Sequence, residues 1–418
     1  MATSRAGSFS SREGVAVAGS FGYMDIGDEA MLTEDLLYIT EVIGLPRDQI
    51  LLFGGNPGYV ASYHQHPPSS CFPSRQLEVN WGAKNGMSLR PTGLRGLATR
   101  LLGRRREGFA PEIDERLRTS RAALITGGGT INTRDSRAAS LHRMHRIVSY
   151  FRDCGLPIFM SGQTIGPLGV NAAHDALARQ IIASVDVLTV RDSQYSREYL
   201  GRIGAWPREF LETDDDAATV PYAHEALPDE LRAFLEAGEA VAVNTTTYTG
   251  SASAHRKFMA RFCERLIVDD DKAVVLVSHA TQDWNNHIAI LRMISPRLQR
   301  RVCLPDTRLW RAGRLKRLIS ECVVAVGGRY HFVVFAGTSD TPFVGMCANQ
   351  YSYVKQHGFA RTHGLGHFVL APEDTWREPS LWQRYQEAKS LDLDLAKSFP
   401  RPSASMTMFG RWLRAIDG

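Results

Sequence analysis

Short apolar runs rich in Val, Ile, Leu and Ala alternate with stretches of helical period along most of the chain. The first block of runs lies at Val15 to Ala18, Gln49 to Phe53, Ala122 to Ile125, Pro157 to Met160 and Val185 to Val190. Between them, spacings such as Leu32, Leu36, Ile39 and Ile43 place apolar residues on one helical face. Further helices are predicted up to about Cys154, from 172 to 183 and through Leu200. The alternation breaks at 221–238, where two prolines and mixed charge read as an exposed helix and linker. It then restarts with runs at Ala240 to Asn244, Ala273 to Ser278, Arg301 to Leu304, Val323 to Val326 and Pro342 to Met346. Such short runs, without polar alternation, are strands buried on both faces. Right-handed crossovers make each block a parallel sheet covered by helices. The expected organisation is a disordered lead-in at 1–13 and a Rossmann-like domain at 14–225 with an irregular insertion at about 54–120. A second Rossmann-like domain follows at 238–372, then a helical segment at 373–418.

Composition narrows this picture modestly. The 418 residues exceed what one core usually spans, and 44% hydrophobic with 22% charged residues is an ordinary globular balance. The net charge of +5 suits an anionic small substrate. It suits a nucleic acid equally, but no motif combining aromatic and basic residues supports that partner. The six cysteines include no CxxC pair and no zinc spacing, so neither a metal nor a disulfide framework is expected. They read as reduced thiols, with a cytoplasmic location as the corresponding expectation. No run approaches 18 apolar residues, and the N-terminal stretch has no apolar h-region.

The candidate chemistry sits where strands end, the edge at which open α/β sheets bind ligands. The stretch 322–355 carries most of it. Its strand meets Gly327-Gly328 and then Arg329 and His331, which open a helix. An arginine and a histidine at a helix start form an anion site with a proton donor attached, unless they serve as an ion pair and a core histidine. In the first block, GYMDIGDEAML places Asp28 and Glu29 in a helix's first turn, as helix-dipole partners or as catalytic groups. The glycines at 127–129 and Thr130 expose backbone amides, and Gln163 and Gly166 again follow a strand. Arg191 ends the Val185 strand, where Ser193 can cap the next helix, and His279 and Asp283 flank the end of the Ala273 strand. His64 and His66 in HQHPP and the run Arg104-Arg105-Arg106 read as an exposed insertion or as ligands for a metal or phosphorylated acceptor. Asp214, Asp215 and Asp216 read as a loop anchor rather than a metal site, because adjacent side chains diverge.

In order along the chain, GYMDIGDEAML, GGGT at 127–130, GQTIGPL at 162–168, RDSQYSREYL at 191–200, the Asp-rich 213–216 and GGRYHFVVFAGTSDTPFVGM at 327–346 resemble the polysaccharide pyruvyl transferases. The resemblance runs from about Val15 to about Gly358. It implies two facing Rossmann-like domains in a GT-B-like arrangement, and transfer of pyruvate from phosphoenolpyruvate onto sugar hydroxyls as a cyclic ketal. It implies no metal or nucleotide cofactor, with phosphoenolpyruvate as co-substrate. Arg191, Arg329 and Lys355 match the family's ligands for that anion, His331 its Arg-x-His histidine, and Asp28 the acid of its Gly-Asp-Glu. The lysine departs from the family's Tyr-x-Pro-Lys, standing here in Tyr351-Ser-Tyr-Val-Lys355, and the stretch 54–120 has no counterpart.

For phosphoenolpyruvate, planar arginine forks suit the carboxylate and phosphate. His331, with a pKa near neutrality, is the expected general acid; Asp28 would accept or orient the acceptor hydroxyl's proton. The backbone at Gly128, Gly129, Thr130, Gln163 and Gly166 and the side chains of His279 and Asp283 complete the expected contacts with phosphate or acceptor. The acceptor that the resemblance implies is a sugar, glycan or glycoside. The alternatives are a GT-B glycosyltransferase using a nucleotide sugar and enolpyruvyl-type transfer to a small natural product.

Overall fold

The structure, a computed structural model, describes residues 12–84, 110–133, 138–192, 194–245, 252–399 and 401–416. The lead-in up to residue 11, the run Arg104-Arg105-Arg106, Ser193 and most of the loop after Asn244 lie outside the described residues. Two parallel sheets carry the chain. The first has seven strands in the order β3-β2-β1-β4-β5-β6-β7. These are β1 Val15–Ala18, β2 Ile50–Gly54, β3 Cys71–Pro73, β4 Ala122–Ile125, β5 Ile158–Gln163, β6 Val187–Val190 and β7 Glu209–Glu212. The second has six in the order β10-β9-β8-β11-β12-β13. These are β8 Ala240–Asn244, β9 Ala273–Leu276, β10 Val302–Cys303, β11 Val324–Gly327, β12 Phe343–Met346 and β13 Val369–Leu370.

The central strands are buried end to end: every residue of β1, β4, β8 and β11 is inaccessible. That is why their sequences run apolar without alternating. Both sheets reverse their order beside the first strand of the block, at β1/β4 and at β8/β11. Such switch points open a crevice beyond the strands' carboxyl ends. The two crevices face each other, making two Rossmann-like domains in the GT-B arrangement.

Three strands were not visible in the apolar pattern. β7 is an edge strand with mostly exposed side chains, β3 ends in a proline, and β13 spans two residues. The stretch expected to be an irregular insertion is ordered where it is described. It forms the helix Pro57–His64, β3 and the helix Arg75–Lys84, and resumes with the helix Pro111–Thr119. The histidines of HQHPP are structural there, not ligands. His66 Nε2 lies 2.9 Å from the Ile50 carbonyl, and His64 is buried against Glu29.

The domains share a core. Ile26, Ala30 and Met31 of the helix Ile26–Leu37 belong to the same apolar cluster as Trp310, Leu315, Phe332 and Phe335. At the end of the chain, the helix Glu378–Lys389 buries Leu381 and Tyr385 with β8 and β9. The final helix Ala404–Ala415 crosses back to the first sheet, where Phe409 packs its ring 5.3 Å from Phe159 of β5. No helix among the described residues is long and apolar enough to cross a membrane.

Candidate active site

A cleft of about 490 Å³ opens between the two sheets' carboxyl edges. It is lined by Asp28, Gly128, Gly129, Thr130 and Arg191 from the first domain and by His279, Arg329, His331 and Lys355 from the second. Nine of the residues singled out in the sequence therefore meet in one place. Three do not line it. Gln163 is buried and spends its amide on the backbone, donating to the carbonyls of Ser161 at 2.8 Å and Thr126 at 3.3 Å. Gly166 lies under the Tyr199 ring, so close that a Cβ would come within 2.2 Å of it. Asp283 stands behind Arg329: it accepts from the guanidinium at 2.9–3.2 Å and from the amides of His279 and Ala280. It positions a cleft arginine rather than meeting a ligand.

Each cation in the cleft is held from behind. Arg191 is 2% exposed, donates to Asp215 Oδ2 at 2.5 Å and to Thr164 Oγ1 at 3.0 Å, and lies 4.2 Å above the Tyr330 ring. Its partner is Asp215, not the adjacent Asp192. Asp192 instead accepts from the Ser196 amide at 2.8 Å. Arg329 is the N-cap residue of the helix Tyr330–Gly337 and also reaches Asp25 Oδ2 at 3.2 Å, across the domain boundary. Burial raises the Asp25 carboxyl, but Arg329 and the two nearby histidines outweigh it and hold the pKa low. The same contest, won by Arg191, keeps Asp215 ionised. Lys355 lies over the Tyr330 and Tyr351 rings, at 5.3 and 4.6 Å. Tyr351 donates to the Gly129 carbonyl at 3.0 Å, so the second domain's helix touches the glycine loop. A Cβ at Gly129 would sit 2.7 Å from that hydroxyl, which explains the glycine there.

His331 is on the first turn of its helix, 7% exposed, and its Nε2 lies 3.7 Å from Asp215 Oδ2 with no hydrogen-bond partner among the described residues. A Cβ at Gly27 would fall within 1.9 Å of its Nδ1, so the imidazole rests directly on the start of the helix Ile26–Leu37. Burial pulls its pKa down to about 4, against the opposing pull of Asp215. That lies well below the near-neutral value expected from sequence. Burial also draws His279 to about 3, leaving it neutral, and neither ring nitrogen has a hydrogen-bond partner among the described residues. Asp28 departs in the other direction. Burial and then the Asp25 charge push its carboxyl well above the carboxylate range, with Lys355 opposing. Both influences disfavour the charged form of Asp28.

Sequence reasoning missed Asp25, Asp215, Tyr330 and Tyr351. Asp25 had a usable signal, since its side chain accepts from the Gly27 amide as the N-cap of the helix carrying Asp28. Asp215 was visible only as one of three aspartates, whose side chains diverge as expected. Asp214 faces His363 at 3.5 Å, and Asp216 accepts from Ser161 and Ser403 at 2.5 Å each. Glu29, read as a helix-dipole partner, is buried instead and accepts from the Gly22 amide at 2.7 Å and lies 2.9 Å from His64 Nε2.

Comparison with known proteins adds the family. The family model described as polysaccharide pyruvyl transferase matches residues 96–351, more than half of the chain. The chain belongs to the polysaccharide pyruvyl transferase family. No curated protein matches it. Among solved structures it is similar to UDP-GlcNAc 2-epimerase from Methanocaldococcus jannaschii, in complex with UDP-GlcNAc and UDP, with a TM-score of 0.59 at 10% identity over 96% of this chain and 99% of that one. The Neisseria meningitidis UDP-GlcNAc 2-epimerase bound to UDP-GlcNAc gives 0.56 at 10% identity, covering 96% and 99%. At such identities the likeness speaks for the GT-B fold alone. In this pyruvyl transferase family member, the matched span includes Arg191, Arg329 and His331, and ends at Tyr351, four positions before Lys355.

Proposed function

We propose that the cleft binds phosphoenolpyruvate and transfers its pyruvyl group to hydroxyls of a sugar or glycan acceptor, closing a cyclic ketal and releasing phosphate. The observation that carries this reading is the convergence of Arg191, Arg329 and Lys355 around His331 in one cleft between domains. The arginine forks match the donor's carboxylate and phosphate, and Lys355 adds a third positive charge. A bound anion adds to the pull of Asp215 and lifts the His331 pKa toward the working range.

The chemistry follows in order. Protonated His331 gives its proton to the methylene carbon, leaving an oxocarbenium-like centre at the carbon bearing the phosphate. An acceptor hydroxyl bonds to that carbon, and the carbon–phosphate oxygen bond breaks. A second hydroxyl then bonds to the same carbon and completes the ketal. Two hydroxyl protons are lost and one proton is gained at carbon. Asp28, whose neutral form burial favours, is suited to give a proton to the departing phosphate and then to take one from the acceptor. No metal or nucleotide cofactor enters these steps.

The test is incubation with phosphoenolpyruvate and a panel of glycosides, following phosphate release and the mass of the acceptor. Pyruvylated glycoside appearing with equimolar phosphate is expected. A calorimetric titration showing tight binding of a sugar nucleotide and none of phosphoenolpyruvate would instead favour a glycosyltransferase.

A further inference from the structure

We propose that the first domain's wall of the cleft is an acceptor subsite that stacks a sugar ring on Tyr23 and pairs an anionic substituent of that sugar with Arg143. This rests on the reading of the other wall as the donor site.

Both residues line the cleft, and the Arg143 guanidinium carbon lies 5.5 Å from the Tyr23 ring centroid. The Tyr23 ring is 54% exposed yet firmly placed. It rests on Gly55, where a Cβ would come within 2.6 Å of it. Its loop is stitched to the neighbouring one by Gly55 N to the Phe21 carbonyl at 2.9 Å and Asn56 N to the Gly22 carbonyl at 3.0 Å. The buried Glu29 anchors the Gly22 amide from below. An exposed aromatic face that is already ordered binds at little further entropic cost, and the C–H face of a sugar ring packs well on it.

Arg143 brings charge to the same rim. It lies near the start of the helix Ala139–Asp153 and donates to Ser74 Oγ at 2.7 Å. The nearby carboxylate, Glu78, is engaged mainly by Arg146, whose Nε is 2.8 Å away, whereas Arg143 Nε stays at 3.8 Å. Among the described residues, two guanidiniums thus share one carboxylate, which leaves one positive charge at the rim. Arg191 and Arg329, by contrast, are matched by Asp215, Asp283 and Asp25. Thr130 Oγ1 and Ser140 Oγ, on the Tyr23 and Arg143 side, are buried hydroxyls with no hydrogen-bond partner among the described residues, suited to the hydroxyls of a sugar. The predicted acceptor class is a hexose carrying a phosphate or a carboxylate.

The test titrates the full-length protein calorimetrically with hexose 1-phosphates, methyl hexuronides, neutral methyl hexosides and inorganic phosphate, in the gluco, galacto and manno series. At least one charged sugar is expected to bind about tenfold or more tighter than its neutral counterpart, the scale of one charge-assisted hydrogen bond. Which of the two binds identifies the anionic group. Arg143→Gln should remove that preference, and Tyr23→Ala should weaken the sugar without altering inorganic phosphate. Lys355→Gln should weaken phosphoenolpyruvate but spare the charged sugar, and circular dichroism checks that each variant is folded. The proposal is overturned if neither charged sugar binds, if Arg143→Gln changes nothing, or if Lys355→Gln removes the sugar, which would place it on the donor wall. A separate phosphoenolpyruvate titration tests the donor reading on its own, so either can fail while the other stands.

Discussion

His331 joins most of the site's chemistry in one side chain, and its environment sets its pH behaviour. His331→Ala is expected to lower turnover by ~10²–10⁴ while the thermal midpoint stays close to that of the parent. Near-normal turnover would remove the residue from the mechanism. An acid must be protonated to act, and the free imidazole has a pKa of about 4, so kcat/KM should fall as pH rises above that value. A bound anion raises the pKa, so the descending limb of kcat should lie at higher pH than that of kcat/KM. Coincident limbs in a steady-state pH series would contradict the assignment. Gly27 offers a second handle. A Cβ there must displace the imidazole, and misplacing a reacting group by about 1 Å costs ~10² in rate. Gly27→Ala should therefore lose turnover on that scale, with phosphoenolpyruvate affinity by calorimetry changing far less. The sequence marked His331 as chemistry through its place after a glycine turn. It gave no sign that Gly27, three hundred residues earlier, forms the imidazole's seat.

At the scale of elements, the apolar runs located ten of the strands because buried parallel strands have no polar face to interrupt them. β3, β7 and β13 escaped because a proline, an exposed edge and a two-residue length erase that signature. The loops at strand ends were legible as a class, but not residue by residue. Gln163 ends β5 and looks like a ligand, yet its side chain serves the backbone of β5 and the β4 loop. The final helix could be read as a helix, but its address could not. Since Phe409 is fully buried against β5, Phe409→Ala should cost ~3–5 kcal/mol in unfolding free energy by urea titration, the usual range for a buried aromatic. A cost below about 1 kcal/mol would mean that this helix contributes little to the first domain.

For the whole molecule, the shared apolar cluster and the returning C-terminal helix couple the two sheets. Ile26 and Met31 are buried among second-domain side chains, and the Asp25–Arg329 pair and the Tyr351–Gly129 hydrogen bond close the cleft's floor. Calorimetry is accordingly expected to show one cooperative unfolding transition, with the calorimetric enthalpy equal to the van't Hoff value. Two resolved transitions would show that the domains unfold independently and that the cleft is assembled from loosely joined halves.

The sequence by itself determined two blocks of parallel βα units and the ligand-bearing loops at their strand ends, because burial and turn chemistry are local and leave periodic marks. It also supplied Arg191, Arg329, His331 and Lys355 as the charged groups for an anion. Only the tertiary structure decided which groups meet. Asp283 turns to brace Arg329, Asp215 rather than Asp192 holds Arg191, and Tyr23 and Arg143 come together at a rim that no motif announces. Those outcomes depend on how two sheet edges far apart in the chain face one another, and contacts between such distant residues leave no period in it.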